Sequence, residues 1–417
     1  MIGSRSGVFG YRDFRLYWTG GLVSNVGTWL QIVTGSAVMY VLTEDPLMVG
    51  LLNFAGFVPI AVFSLFGGVV SDRFDRRRVI IITHLASMSV AFAIAYITFR
   101  GDLQPAVLII GACVSNTAYA FAKPSLTSIL PWLVPRERLT EATGLNLLQF
   151  SGGQLGGSLL AAVLLATAGP AWAFLANGFT YLGPVVAVLL IKSIPGPDPD
   201  ARRGSGLESV RAGIAYVRGE RVLLPCLLGI AATSALAEAL RTMSPILAIE
   251  SFGQPVSAAG LIIATWSIGS AISIVLVGPL SRRYGPWSLA ALGTIVLGLS
   301  AVAIAIAPVF IIGLAGALAL GIGYSLTFTV LTATLQGRSA DAFRGRTMSL
   351  HTLSHLGMRP FTALAVGALA SSLGVHLAML VCSALAIAAF GLVMKARTRA
   401  GDDADHVPLA TSTGTAR

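Results

Sequence analysis

Glu238 lies in the middle of an apolar run from Leu223 to Ile249, and it is the only acidic residue near the centre of any such run in the chain. Arg241 follows three positions later, a spacing that puts both side chains on one face of a helix. A second run holds His355 and, four residues on, Arg359. Counted at 1.5 Å per residue from the N-terminal ends of their runs, Glu238 lies about 24 Å deep and Arg359 about 20 Å deep, so the four residues could form one cluster. Charged groups in apolar surroundings are costly and are functional candidates by default. Three roles stay open for Glu238: a coupling proton site, a permanent ion pair that aids packing, or contact with a charged substrate. An arginine left over would suit an anionic group such as a carboxylate or catecholate. Asn25, Gln31, Asn53, Asn116, Tyr119, Asn146 and Gln149 add polarity to other apolar runs, where they either line a cavity or bond one helix to another.

The elements that carry these residues follow from composition. Of 417 residues, 55% are apolar and 11% charged, against roughly 25% charge in a soluble globular chain. The mean hydropathy is +0.80. Apolar runs of about 20 residues recur along the whole length, which predicts transmembrane helices, since they are too long for barrel strands. Twelve spans are expected, near 16–42, 47–71, 79–99, 105–122, 142–167, 172–191, 223–249, 257–280, 287–307, 309–334, 347–371 and 375–395. The first is longer than a signal-peptide core and is expected to remain attached.

The net charge of +10 could suggest nucleic acid, but the basic residues follow the membrane. Arg100 alone lies in an odd-to-even loop, Arg241 and Arg359 lie inside spans, and every other Lys or Arg sits in the termini or the even-to-odd loops. By the positive-inside rule both termini are cytoplasmic, and no nucleic-acid partner is expected. Cys113, Cys226 and Cys382 are isolated in apolar runs and read as small core residues, without metal-ligand spacing. No phosphate-binding loop, HExxH or GxSxG occurs, so neither an ATPase nor a membrane hydrolase is expected. No cofactor or metal is expected.

A polar stretch divides six spans from six. It defines an N-terminal bundle over 1–192, a cytoplasmic central loop with an amphipathic segment over 193–222, a C-terminal bundle over 223–399 and a disordered tail over 400–417. The segment Gly68-Val-Val-Ser-Asp72-Arg73-Phe74-Asp75 after span two is echoed 210 residues later by Gly278-Pro-Leu-Ser-Arg-Arg283-Tyr284-Gly285 after span eight. Two repeated six-helix halves are the architecture of alternating-access carriers.

Gly68, Asp72, Arg73, Arg76 and Arg77 resemble the loop 2–3 signature of the major facilitator superfamily, GxxxD(R/K)xGRR, with Asp75 where that family usually has Gly. The resemblance implies a cytoplasmic gate, with Asp72 facing a helix N-terminus and Arg73 pairing with it. Gly144, Gly153, Gly157 and Ser158 resemble the antiporter motif G(x)8G(x)3GP(x)2GG, with Ser158 for Pro and Ala161-Ala162 for the last glycines. Such glycines also serve plain helix packing. The segments Tyr11–Trp18, Leu130–Arg138 and Phe343–Leu350 resemble the bacterial efflux branch that includes macrolide, multidrug and enterobactin exporters. The expected fold is therefore all-α: a polytopic membrane protein of 12 transmembrane helices in two pseudo-symmetric six-helix bundles. The resemblance implies a monomeric secondary transporter of the bacterial plasma membrane, exporting a drug-like compound or siderophore in exchange for protons. Uptake, lipid translocation and a non-transporting sensor are the alternatives.

Overall fold

The computed structural model describes residues 7–192, 194 and 214–400, with the backbone alone for Leu65, Asp72, Asp341 and Ala342. Most of the expected central loop, including the first half of its amphipathic segment, and the tail from 401 lie outside the described residues. Residues 214–219 are helical.

Among the described residues, twelve helices are long and apolar enough to cross a bilayer. In the first half they are α1 (Arg12–Thr43), α2 (Pro46–Arg73), α3 (Arg76–Phe99), α4 (Pro105–Ile129), α5 (Leu139–Thr167) and α6 (Pro170–Leu190). In the second half they are α7 (Leu223–Ser251), α8 (Ala258–Tyr284), α9 (Pro286–Ile306), α10 (Phe310–Arg338), α11 (Phe343–Leu373) and α12 (Val375–Ala400). Their starts are written locally. Asp45 accepts a hydrogen bond from the Leu47 amide ahead of α2, and Pro46, Pro105, Pro170 and Pro286 occupy first turns, where a missing N–H costs nothing.

The repeated hairpin turns in two ways. Gly285 adopts φ +80°, a region an L side chain disfavours, whereas its counterpart Asp75 has φ −58° and accepts from the Arg78 amide at 3.1 Å as the cap of α3. The aspartate replaces a glycine turn by a side-chain cap.

Prolines inside helices free the carbonyl four residues earlier, and neighbouring groups take up two of these. Pro59 frees the Ala55 carbonyl, which accepts from the Cys113 thiol at 3.3 Å, so Cys113 bonds α4 to α2 and is more than a core filler. Pro245 frees the Arg241 carbonyl, which accepts from Ser244 Oγ at 2.9 Å. Pro184 cannot donate to Thr180, and α6 breaks there into Pro170–Thr180 and Leu182–Leu190. Pro124 does not end its helix: α4 runs to Ile129 rather than stopping at 122, because Ser125 and Ile129 are buried on its inner side. Lys123 thus belongs to a helix, not to a loop.

The chain divides into two compact units, Met1–Arg202 with Pro255–Ala264, and Arg203–Gln254 with Thr265–Arg417. The start of α8 belongs to the first unit, where Ile263 packs among Leu30, Val33, Ala161 and Ala173. In the first unit α1 packs on α5 and α6, α3 on α4 and α6, and α2 on α4. The second unit repeats this pattern six helices later: α7 packs on α11 and α12, and α9 on α10 and α12. Gly269 and Gly321 bring α8 onto α10, each with backbone of the other helix where a Cβ would stand.

Candidate functional site

In the second unit α7 is the most buried of the twelve spans, and Glu238 on it is 2% exposed. Its Oε2 accepts from Arg241 Nη1 at 2.8 Å, within α7, and from Arg359 Nε at 2.9 Å, across from α11. Two guanidinium charges therefore meet one carboxylate oxygen. Removing one partner of a buried pair costs about 3–5 kcal/mol, because the survivor stays buried. Arg241 also lies over the Trp266 ring, 4.7 Å from its centroid, a cation–π contact that strengthens away from water.

From Trp266 an aromatic ladder runs through Tyr324 (centroids 5.6 Å apart) and Phe328 (5.4 Å, stacked) to His355 (4.8 Å). His355 Nδ1 is 2.9 Å from Ser234 Oγ, one turn before Glu238 on α7. His355 thus joins the cluster through Ser234 and Phe328 and makes no direct contact with Glu238. It sits in a π-helical turn, Leu353–Gly357, ahead of Arg359-Pro360. Pro360 cannot donate to the Leu356 carbonyl, and the wide turn absorbs that missing bond. His351, one turn earlier, is 3.0 Å from Thr332 Oγ1 through Nε2. The arrangement can present guanidinium and aromatic faces to an anion.

The polar residues of the first unit are placed differently from one another. Asn25 donates to Gln149 at 3.3 Å, and Gln149 donates to the Trp18 carbonyl at 2.6 Å, so both bond α5 to α1. Gln31 accepts from the buried Asn177 of α6. Asn116 donates to Ala112 of its own helix at 3.0 Å, and Asn53 is half-buried on α2. Asn146 donates to the Tyr17 hydroxyl at 3.4 Å, and Tyr119 is half-buried on α4.

A family model of transmembrane secretion effectors matches residues 7–415, nearly the whole chain. The chain belongs to this family of the major facilitator superfamily. It is 27% identical over 390 residues to the enterobactin exporter EntS of Citrobacter koseri, covering 91% of this chain and 89% of that one. It is 28% identical over 352 residues to EntS of an Escherichia coli strain, covering 82% of each. The fold is similar to the nucleoside transporter NupG (TM-score 0.77, 12% identity, 92% of this chain and 100% of that one). It is also similar to a bacterial homologue of the iron transporter ferroportin (TM-score 0.70, 16% identity, 92% and 98%). The protein is a major facilitator transporter with multiple membrane spans.

The two motifs of this transporter family separate residue by residue. In α5, a Cβ on Gly153 or Gly157 would run into Asn25, or into Val26, Trp29 and Leu30, of α1, so these glycines set the α1–α5 approach. Ser158 is fully buried beside them. Gly144 faces open space and takes no part in that groove. In the loop 2–3 motif Gly68 also faces open space, and its neighbour Gly67 makes the close approach, against Ala120 of α4. Arg77 donates to the Ile191 carbonyl at 2.6 Å, tying α3 to the end of α6. Arg73 is exposed, Arg76 half-buried, and the Asp72 side chain lies outside the described residues.

Sequence reasoning missed Trp266, Tyr324 and Phe328, since aromatic residues in apolar helices carry no signal of which face they occupy. It missed Ser234 for the same reason.

Proposed function

We propose that this transporter exports a small amphipathic molecule across the plasma membrane by alternating access, driven by proton entry, with Glu238, Arg241 and Arg359 as the coupling and binding cluster. The observation that carries this reading is the meeting at Glu238, where guanidiniums from α7 and α11 share one buried carboxylate oxygen. In the exchange a substrate anion takes over one guanidinium while Glu238 accepts a proton. The aromatic ladder from Trp266 to His355 suits a substrate that is aromatic as well as anionic. Similarity to enterobactin exporters supports a siderophore-like compound and the outward direction. The distribution of arginines supports cytoplasmic termini.

The test is uptake of a catecholate siderophore, and separately of a cationic dye, into inverted vesicles with and without a pH gradient. Uptake of the catecholate that needs the gradient, and that fails in Glu238→Gln at equal expression, supports the reading. Preference for the cationic dye would favour a multidrug exporter over a siderophore exporter. Uptake indifferent to the gradient would return Glu238 to a packing role.

A further inference from the structure

In each unit the start of the first helix meets the end of the last, and the two corners differ in charge. In the first unit Arg12 of α1 donates to the Leu190 carbonyl at the end of α6 at 3.3 Å and pairs with Asp13 at 3.4 Å. The other Asp13 oxygen accepts from the Lys192 amide at 3.1 Å, so cation and anion are matched there. In the second unit Arg399, in the last turn of α12, donates through Nη1 to the carbonyl of Arg221, just ahead of α7, at 3.2 Å. Arg338, at the end of α10, donates through Nη2 to the carbonyl of Ala400, the last residue of α12, at 3.4 Å. Three arginines from three chain segments thus stand at one corner, and no ion pair joins any of them to a carboxylate among the described residues. Glu220, beside Arg221, is exposed and is no exception.

The second corner is held firmly and is open to its surroundings. Val222 of the segment before α7, Leu335 of α10 and Ala396 of α12 belong to one buried core beneath it, so the three ends cannot spread without opening that core. Arg221 and Arg399 are exposed above it, and Arg338 is half-buried. A guanidinium carries several N–H donors in a fixed fork, so one bond to a carbonyl orients it and leaves further donors for bidentate contact with a phosphate. Leu224 and Leu228, three and seven residues after Arg221, are exposed on α7 and continue one line along the helix away from the corner. A cation at the end of a membrane helix followed by exposed leucines matches the order of headgroup and acyl chain in a phospholipid.

We propose that the corner formed by Arg221, Arg338 and Arg399 binds the phosphate of an anionic phospholipid, with an acyl chain lying along Leu224 and Leu228. The unmatched guanidiniums favour an anionic headgroup over a zwitterionic one, whose choline would bring a further cation to the corner. The exposed leucines favour a lipid over a soluble phosphate ester. The site stands apart from the export reading, because lipid binding here needs neither Glu238 nor a proton gradient.

The test is native mass spectrometry of the full chain in detergent micelles doped with equal amounts of phosphatidylglycerol and phosphatidylcholine of the same acyl chains. The wild type is expected to retain phosphatidylglycerol over phosphatidylcholine by at least about fivefold, the factor that one basic residue supplies near an anionic headgroup. Arg221→Gln keeps the carbonyl that Arg399 uses and is expected to lower that preference by about threefold to fivefold. Adding Arg399→Gln is expected to remove it, and if that double variant does not fold, Arg221→Gln alone decides. Arg12→Gln, at the charge-matched corner, is expected to leave the preference as it is. Equal retention of both lipids by the wild type, a preference unchanged in Arg221→Gln, or an equal loss in Arg12→Gln overturns the proposal. Displacement of phosphatidylglycerol by an equal concentration of glycerol 1-phosphate would assign the corner to a soluble phosphate ester and overturn it as well.

Discussion

Glu238 Oε2 accepts two guanidinium hydrogen bonds at 2.8 and 2.9 Å while 2% exposed, so its substitution has two separable effects. Glu238→Gln removes the carboxylate that two buried guanidiniums share and is expected to lower the melting temperature in detergent, by a loss of about 3–5 kcal/mol. Adding Arg359→Gln to that variant removes one of the two guanidinium charges, and the double variant is expected to melt higher than Glu238→Gln alone, a non-additivity that a melting series reads directly. Additive losses would mean that the carboxylate and Arg359 do not depend on each other. Arg241→Lys keeps the charge but removes the planar group that lies 4.7 Å from the Trp266 centroid. That cation–π interaction is worth about 0.5–2 kcal/mol, and the variant is expected to melt lower by a corresponding amount. The pairing of Glu238 with Arg241 was legible, because three residues of helix bring them together. Arg359 as the second partner was legible only as a depth. Its azimuth depends on the π turn at Leu353–Gly357, which shifts every later side chain of α11 around the axis and leaves no mark in apolar periodicity.

At the scale of elements, the glycines divide into those that set a helix contact and those that do not. Gly157→Val in α5 is expected to push α1 away and destabilise by about 1–3 kcal/mol, since Val26, Trp29 and Leu30 occupy the space. Gly144→Ala, in the same motif but facing open space, is expected to be neutral or to stabilise by up to about 1 kcal/mol through helix propensity. The same contrast applies between Gly67→Ala, destabilising against Ala120, and Gly68→Ala, tolerated. Thermal unfolding of the four variants in one detergent checks both pairs. The helices themselves were readable to within a few residues, because a bilayer imposes length and apolarity on every span. The extension of α4 past Lys123-Pro124 was not readable, since a proline usually signals a boundary and only the burial of Ser125 and Ile129 carries the helix on. Glycine spacing suggested a packing motif in α5, and resemblance to the family signature implied a gate motif after α2. Which glycine of each makes the contact depends on helix rotation, and no spacing rule contains that.

For the whole molecule, two units with the same internal helix pairings, repeated after six helices, place the chain among major facilitator transporters. The arginine distribution predicts that both ends face the cytoplasm. A C-terminal fluorescent-protein fusion should therefore fluoresce and a C-terminal alkaline phosphatase fusion should stay inactive; the reverse pattern would invert the topology. The central claim, that Glu238 couples proton entry to export, is tested most directly by catecholate uptake into inverted vesicles under an imposed pH gradient, comparing the wild type with Glu238→Gln at matched expression. The account predicts gradient-driven uptake by the wild type, and a loss of at least about tenfold in the variant, of the order expected when a buried charge pair is broken. Unchanged gradient-driven uptake in Glu238→Gln would contradict it and leave the cluster as packing between α7 and α11.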